Sequence, residues 1–270
     1  MQARKKVTVP TLVAMKAKQR RIVTVTAYDA TFARLADAAG VDILLVGDSL
    51  GMVVQGHNST IPVTVDDMVY HTRAVARGTQ AAHICADLPF LSASISPEKA
   101  LMAAGRLVQE GRAESVKIEG GEDVAPAIER IVQAGIPVMG HIGLMPQSVH
   151  AMGGFRTQGK TEAGQQRIIA DAEAVVAAGA FALLLEGIPA DLAAQISTEV
   201  PVPTIGIAAG PHCDGQVLVI YDLLGMNPDF NPSFLKKYAD LAGIITGAVR
   251  TYGEEVRAGD YPPPPVASPK

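Results

Sequence analysis

Short apolar runs alternate with longer, helix-patterned stretches along almost the whole chain. The runs cover residues 22–28, 43–49, 83–89, 115–119, 137–143, 182–188, 203–209 and 216–222. Each is nearly continuous in Val, Ile, Leu and Ala and is bounded by turn residues, the pattern of strands buried on both faces of a parallel sheet. Helix signals fall between most of them. Asp29 can cap a helix that stops at Gly40, and Thr64-Val-Asp-Asp67 has the form of a capping box opening a helix toward Gly78. Ser96-Pro97 places a cap and an N1 proline before residues 98–110, and further helical patterns follow Asp123, Thr161 and Ala190.

Eight strands with intervening helices predict an α/β fold, a single (β/α)8 TIM barrel over residues 1–261. A doubly wound open sheet is the alternative, but it rarely uses eight such regular units. The stretch 233–257 is expected as helices packed outside the barrel, and residues 262–270 as a stiff Pro-rich C-terminal tail.

Composition narrows the function. The chain has 270 residues, 48% of them hydrophobic, enough for one large core. Its formal net charge is -4, with no basic stripe, so nucleic acid is not expected as a partner. Cys85 and Cys213 are the two cysteines; they lack metal-ligand spacing and suit a reducing compartment. The basic start Arg4-Lys5-Lys6 is followed by a stretch interrupted at Pro10 and Lys16, unlike a secretory leader. No apolar run approaches the roughly 18 residues that a membrane span needs. A cytoplasmic location without a membrane partner is the expectation.

Candidate chemistry shows where charge interrupts the strands. In a barrel, active sites form at the C-terminal ends of the strands. The second strand ends in Gly47-Asp48-Ser49, the third in Asp87 and the fourth in Lys117-Ile-Glu119; the fifth carries His141 and the sixth ends in Glu186. Alternation along a strand puts Lys117 and Glu119 on one face. Any one of these residues has an ordinary structural reading: a strand-end Asp as a helix cap, Lys117 in a salt bridge, His141 as a core histidine. Together they aim polar groups at one mouth. Several buried carboxylates need a cation, and the hard oxygens of Asp48, Asp87 and Glu119 favour Mg²⁺ over Zn²⁺.

The stretches TAYDATFARLADAAGVDILLVGDSLGMVVQGHNSTIPVTVDDMVYHTRAV, ADLPF, VKIEGG, PVMGHIGLMPQSV, GGFRTQGKT, LLLEGIP, PTIGIAAGPHCDGQVLVIYDLLGM and AVRTYGEEVRAGDYP resemble the ketopantoate hydroxymethyltransferase family, in order, from about Val23 to Tyr261. The resemblance implies transfer of a hydroxymethyl group from 5,10-methylenetetrahydrofolate to 2-oxoisovalerate, within pantothenate and coenzyme A synthesis. It implies Mg²⁺ ligands at Asp48, Asp87 and Glu119, oxo-acid contacts at Asp48, Ser49, Asp87 and Lys117, and a proton acceptor at Glu186. His141 is a possible accessory residue, and a homo-oligomer, commonly a decamer, is implied. Ala208 departs from the pattern, standing where the family usually has glycine.

Three rival readings come from other classes, one of them a catalytically silent barrel serving as a binding scaffold, which the complete polar set argues against. Gly154-Phe-Arg-Thr-Gln-Gly-Lys-Thr161 matches the P-loop pattern letter for letter, but a P-loop must leave a strand directly, and residues 145–150 intervene. Lys117 could serve a Schiff-base aldolase, although neighbouring carboxylates would keep it protonated.

Overall fold

The computed structural model describes residues 4–263. Eight strands close into a barrel: β1 (Ile22–Thr26), β2 (Ile43–Val46), β3 (His83–Asp87), β4 (Ser115–Glu119), β5 (Val138–Gly143), β6 (Ala182–Glu186), β7 (Thr204–Ile207) and β8 (Gly215–Leu218). All neighbours run parallel, and β8 pairs back onto β1 with Thr24 opposite Val217. Up to β8 the helices are α1 (Val9–Ala17), α2 (Ala30–Ala38), α3 (Leu50–Val53), α4 (Val65–Gly78), α5 (Pro97–Gln109), α6 (Ala125–Gln133), α7 (Val149–Met152), α8 (Glu162–Ala177) and α9 (Ala190–Glu199).

The local signals act as expected. Asp29 accepts from the Thr31 and Phe32 amides at 2.7 and 2.9 Å, satisfying donors that the start of α2 would otherwise leave free. Thr64 and Asp67 form a reciprocal capping box. Ser96 accepts from the Lys99 amide and Thr161 from that of Gly164. The eighth strand is shorter than its apolar run suggests: β8 stops at Leu218, and Ile220–Leu223 is helical. A short apolar run without a glycine or proline break fits either state, so periodicity alone cannot place that boundary.

Alternate strand residues point inward. Ile22, Ile43, Leu45, Cys85, Met139, Ala182, Leu184, Ile205 and Val217 form one buried cluster, joined by Val7, Leu12 and Met15 of the N-terminal segment. Helix α1 therefore closes the N-terminal end of the barrel with apolar side chains, leaving the opposite end for polar ones.

Residues up to 219 form one compact unit and those from 220 a second, smaller one. The second contains α10 (Ile220–Leu223) and α11 (Leu241–Ala258), with Asp240 capping α11 through the Gly243 amide. Helix was expected from 233, but it begins only at Leu241. Pro228 and Pro232 remove amide donors and restrict the residues before them, and the Asp240 cap sets the start. The expected Pro-rich tail lies outside the described residues from 264 onward. Among the described residues, no helix is long and apolar enough to cross a membrane.

Candidate active site

Strand register brings the expected polar residues into one layer at the C-terminal mouth. Asp87 of β3 lies opposite Lys117 of β4, Glu119 opposite His141 of β5, and Gly143 opposite Glu186 of β6. Asp48 and Ser49 follow β2 directly, at the turn into α3. Asp48, Asp87, Lys117 and His141 are buried. Lys117 Nζ stands 3.2 Å from Asp87 Oδ1 and 4.0 Å from Glu119 Oε1. His141 Nδ1 lies 3.1 Å from Lys117 Nζ and 3.4 Å from Glu119 Oε1, while its Nε2 faces Glu186 Oε2 at 3.3 Å. Ser49 Oγ is 2.8 Å from the Tyr28 hydroxyl.

The electrostatics of this layer are one-sided. Burial, then the charges of Asp87 and Glu119, push the Asp48 carboxyl well above the usual range, against Lys117 and the Gln147 amide. Burial raises Asp87 too, although Lys117 draws it back. Burial also works on Glu119, but His141 and Lys117 outweigh it and hold its pKa down. Lys117 is disfavoured as an ammonium by burial, and Asp87, Glu119 and Asp48 together overcome that and hold it charged. That state opposes imine formation and weakens the Schiff-base reading.

His141 is subject to two competing pulls. Burial and Lys117 lower its pKa, while Glu119 and Glu186 raise it to about 9. With the carboxylates prevailing, the ring is held protonated: its Nδ1–H lies against Glu119 Oε1 beside the Lys117 ammonium, and Nε2 lies 3.3 Å from Glu186 Oε2 without an aligned hydrogen bond.

The donor set fits a divalent cation. One oxygen of each aspartate is tied down: Asp87 Oδ2 accepts from the Asp48 amide at 3.1 Å, and Asp48 Oδ2 from Gln147 Nε2 at 2.8 Å. Asp87 Oδ1 is buried with no aligned hydrogen bond, even with Lys117 beside it. Among the described residues, no three His, Cys, Asp or Glu side chains converge into a closed cage. Mg²⁺ does not require one, since it is commonly held by one or two carboxylates with water and substrate oxygens completing its shell. Asp48 and Asp87 would hold it, with Glu119 alongside.

Two residues of this layer were not singled out from the sequence. Tyr28, buried at the end of β1, backs Ser49. Gln147, on the turn after β5, reaches Asp48 across 99 positions of sequence; its only signal was its place between strand five and the glycine-rich segment. The P-loop-like segment leaves the one-turn helix α7 rather than a strand, and Lys160 is exposed. The context that a P-loop requires is absent there.

A closed eight-stranded parallel barrel with a charged mouth defines the class: a (β/α)8 enzyme fold with its polar layer at the catalytic end. The ketopantoate hydroxymethyltransferase family profile matches residues 6–264, and the chain belongs to that family. It is 56% identical over 259 residues to the 3-methyl-2-oxobutanoate hydroxymethyltransferase of Pelobacter propionicus, covering 96% of each chain. The same enzyme of Moorella thermoacetica is 56% identical over 262 residues, covering 97% of each. These likenesses make the chain a hydroxymethyltransferase. Among solved structures it resembles a phosphonopyruvate hydrolase complexed with oxalate and Mg²⁺ (TM-score 0.62, 17% identity, 97% of this chain and 91% of that one). It also resembles 2,3-dimethylmalate lyase, a member of the PEP mutase/isocitrate lyase superfamily (TM-score 0.62, 17% identity, 97% and 91%). At that identity the structural likeness concerns the fold.

Proposed function

We propose that the chain transfers a hydroxymethyl group from 5,10-methylenetetrahydrofolate to 2-oxoisovalerate (3-methyl-2-oxobutanoate), giving 2-dehydropantoate and tetrahydrofolate for pantothenate and coenzyme A synthesis. The observation that carries this reading, beside family membership, is the Asp48–Asp87 pair with a buried, unbonded carboxylate oxygen next to a charged lysine. A Mg²⁺ ion held there supplies Lewis-acid polarisation of the keto group. Lys117, kept as an ammonium, pairs with the substrate carboxylate, and Ser49, its hydroxyl set by Tyr28, donates a hydrogen bond to it. Glu186 takes the proton from C3. Its side chain is 20% exposed against 3% for Glu119, so it is the carboxylate that opens onto the mouth, 3.3 Å from His141 Nε2. Water adds to the methylene carbon and both of its C–N bonds break, releasing tetrahydrofolate and the one-carbon unit as formaldehyde. The C3 carbanion adds to that carbon, and the new alkoxide takes back the proton held by Glu186.

We further read the chain as a cytoplasmic homo-oligomer, a decamer by family resemblance. Leu35, Tyr70 and Met102 are exposed on α2, α4 and α5, which supports a self-contact on that side of the barrel. The test of the reaction is an assay with 2-oxoisovalerate and methylenetetrahydrofolate before and after EDTA. Activity that falls on chelation and returns with Mg²⁺ is expected. Full activity in EDTA, or labelling of Lys117 by borohydride in the presence of substrate, would favour the Schiff-base alternative.

A further inference from the structure

Gln147 draws together three consecutive strands at the mouth. Its side-chain amide gives one hydrogen to Asp48 Oδ2 at 2.8 Å and the other to the Leu88 carbonyl at 2.9 Å. Its backbone amide donates to Glu119 Oε2 at 3.0 Å. Asp48 follows β2, Leu88 follows β3 and Glu119 ends β4. The Leu88 carbonyl can only accept, so the carboxamide sits in one orientation; flipped, its own oxygen would face that carbonyl. The Leu88 carbonyl is a fixed anchor, because the Leu88 amide is itself bonded to the Lys117 carbonyl at 2.9 Å. The anchor therefore decides where the second N–H points, and Asp48 turns to meet it. No hydrogen bond to Asp48 Oδ1 is found among the described residues.

We propose that Gln147 is a positioning residue, which fixes the Asp48 carboxylate by Oδ2 so that Oδ1 is presented to the ligand. The inference rests on the divalent-cation reading of the Asp48–Asp87 pair. A neutral donor suits this role better than a lysine would: it orients the carboxylate without neutralising the charge that attracts the cation. Groups that orient a metal ligand from behind in this way are typically worth roughly 10- to 100-fold in metal affinity.

The test measures Mn²⁺ binding, through loss of the free-ion EPR signal, in the wild type, Asp87→Asn, Gln147→Met and Gln147→Asn. Methionine keeps the volume and removes both donors; asparagine is one methylene shorter and withdraws the amide while staying polar, so it serves if the methionine variant does not fold. Binding in the wild type, its loss in Asp87→Asn, and roughly 10- to 100-fold weaker binding in both Gln147 variants are expected. KM for 2-oxoisovalerate should rise with the metal constant, while the melting temperature holds. Wild-type Mn²⁺ affinity in Gln147 variants, with or without a lower melting temperature, overturns the inference alone. No Mn²⁺ binding in the wild type overturns the cation reading and the inference with it.

Discussion

The two ends of the barrel both carry buried or half-buried acids, and they treat them in opposite ways. At the N-terminal end, Asp37 accepts from the Gln80, Ala81 and Ala82 amides at 2.7, 3.0 and 2.7 Å. Asp42 pairs with Arg4 and Arg20 and accepts from the Val23 amide. Glu114 meets Lys6 and the Ile84 amide, and Asp214 meets Lys16 and the Thr204 amide and hydroxyl. Each acid there has a cation and a backbone donor. At the C-terminal end, Asp48, Asp87, Glu119 and Glu186 share Lys117 and His141, and Asp87 Oδ1 has no hydrogen bond. An acid whose partners are all supplied by the chain holds structure together; acids gathered in excess of their partners are set to bind something from outside. Negative charge thus stabilises at one end and recognises at the other.

Substitutions at each end should separate the two roles. The largest effect is expected from Asp87→Asn, which should lower turnover on the order of 10³-fold, ~4 kcal/mol in the barrier, while urea unfolding changes little. Lys117 keeps Glu119 as a partner in that variant, so no buried charge is stranded. A large loss of stability with turnover intact would erase the distinction between the ends. Asp37→Ala should behave the other way. Stranding the Gln80, Ala81 and Ala82 amides should cost about 3 to 4 kcal/mol in urea unfolding and leave kcat of the folded enzyme near wild type.

A pH titration sharpens the same contrast. Burial lowers the pKa of His83 from 6.5 to about 4, against the pull of Glu114. The unfolded chain then binds a proton that the folded one refuses, so the His83 contribution to stability falls as pH drops from 6.5 to about 4 and is constant above that window. The loss should be at most about 3 kcal/mol, and His83→Gln should flatten the profile. An unchanged slope in the variant would place the titrating group elsewhere. The smallest effect is expected at Ala208, which the structure holds at φ 50°, in the left-handed region. The family's usual glycine carries no Cβ strain there, so Ala208→Gly should raise stability by about 1 kcal/mol, read as a higher melting temperature. A fall in stability would mean that the unfolded-state entropy of glycine outweighs the relief.

Much of this was legible in the sequence because burial writes itself into residue type. Strands buried on both faces have to be apolar throughout, so β2, β4 and β6 stood out, and so did the charges of Lys117, Glu119 and Glu186 that interrupt them. Caps such as Asp29 and Thr64–Asp67 are local and need only three or four neighbouring residues. What was illegible depends on contacts between distant parts of the chain. Arg4 and Lys6, which resemble the start of a leader, are counter-ions for Asp37, Asp42 and Glu114. Helix α1 is the apolar plug of the barrel, a role that its own pattern does not announce. Gln147 and Tyr28 sit in a loop and at a strand end with nothing local to show what they would touch.

The central claim is that excess acid at the C-terminal end does chemistry, with Glu186 as the base. Removing the C3 proton needs no folate, so the purified protein with Mg²⁺ should exchange the C3 hydrogen of 2-oxoisovalerate in deuterated water, followed by NMR. Glu186→Gln should still bind the oxo acid but exchange roughly 10²- to 10⁴-fold more slowly, as for the loss of a positioned base. Exchange at the wild-type rate in Glu186→Gln would contradict the account and assign the base to another residue, with His141 next in line.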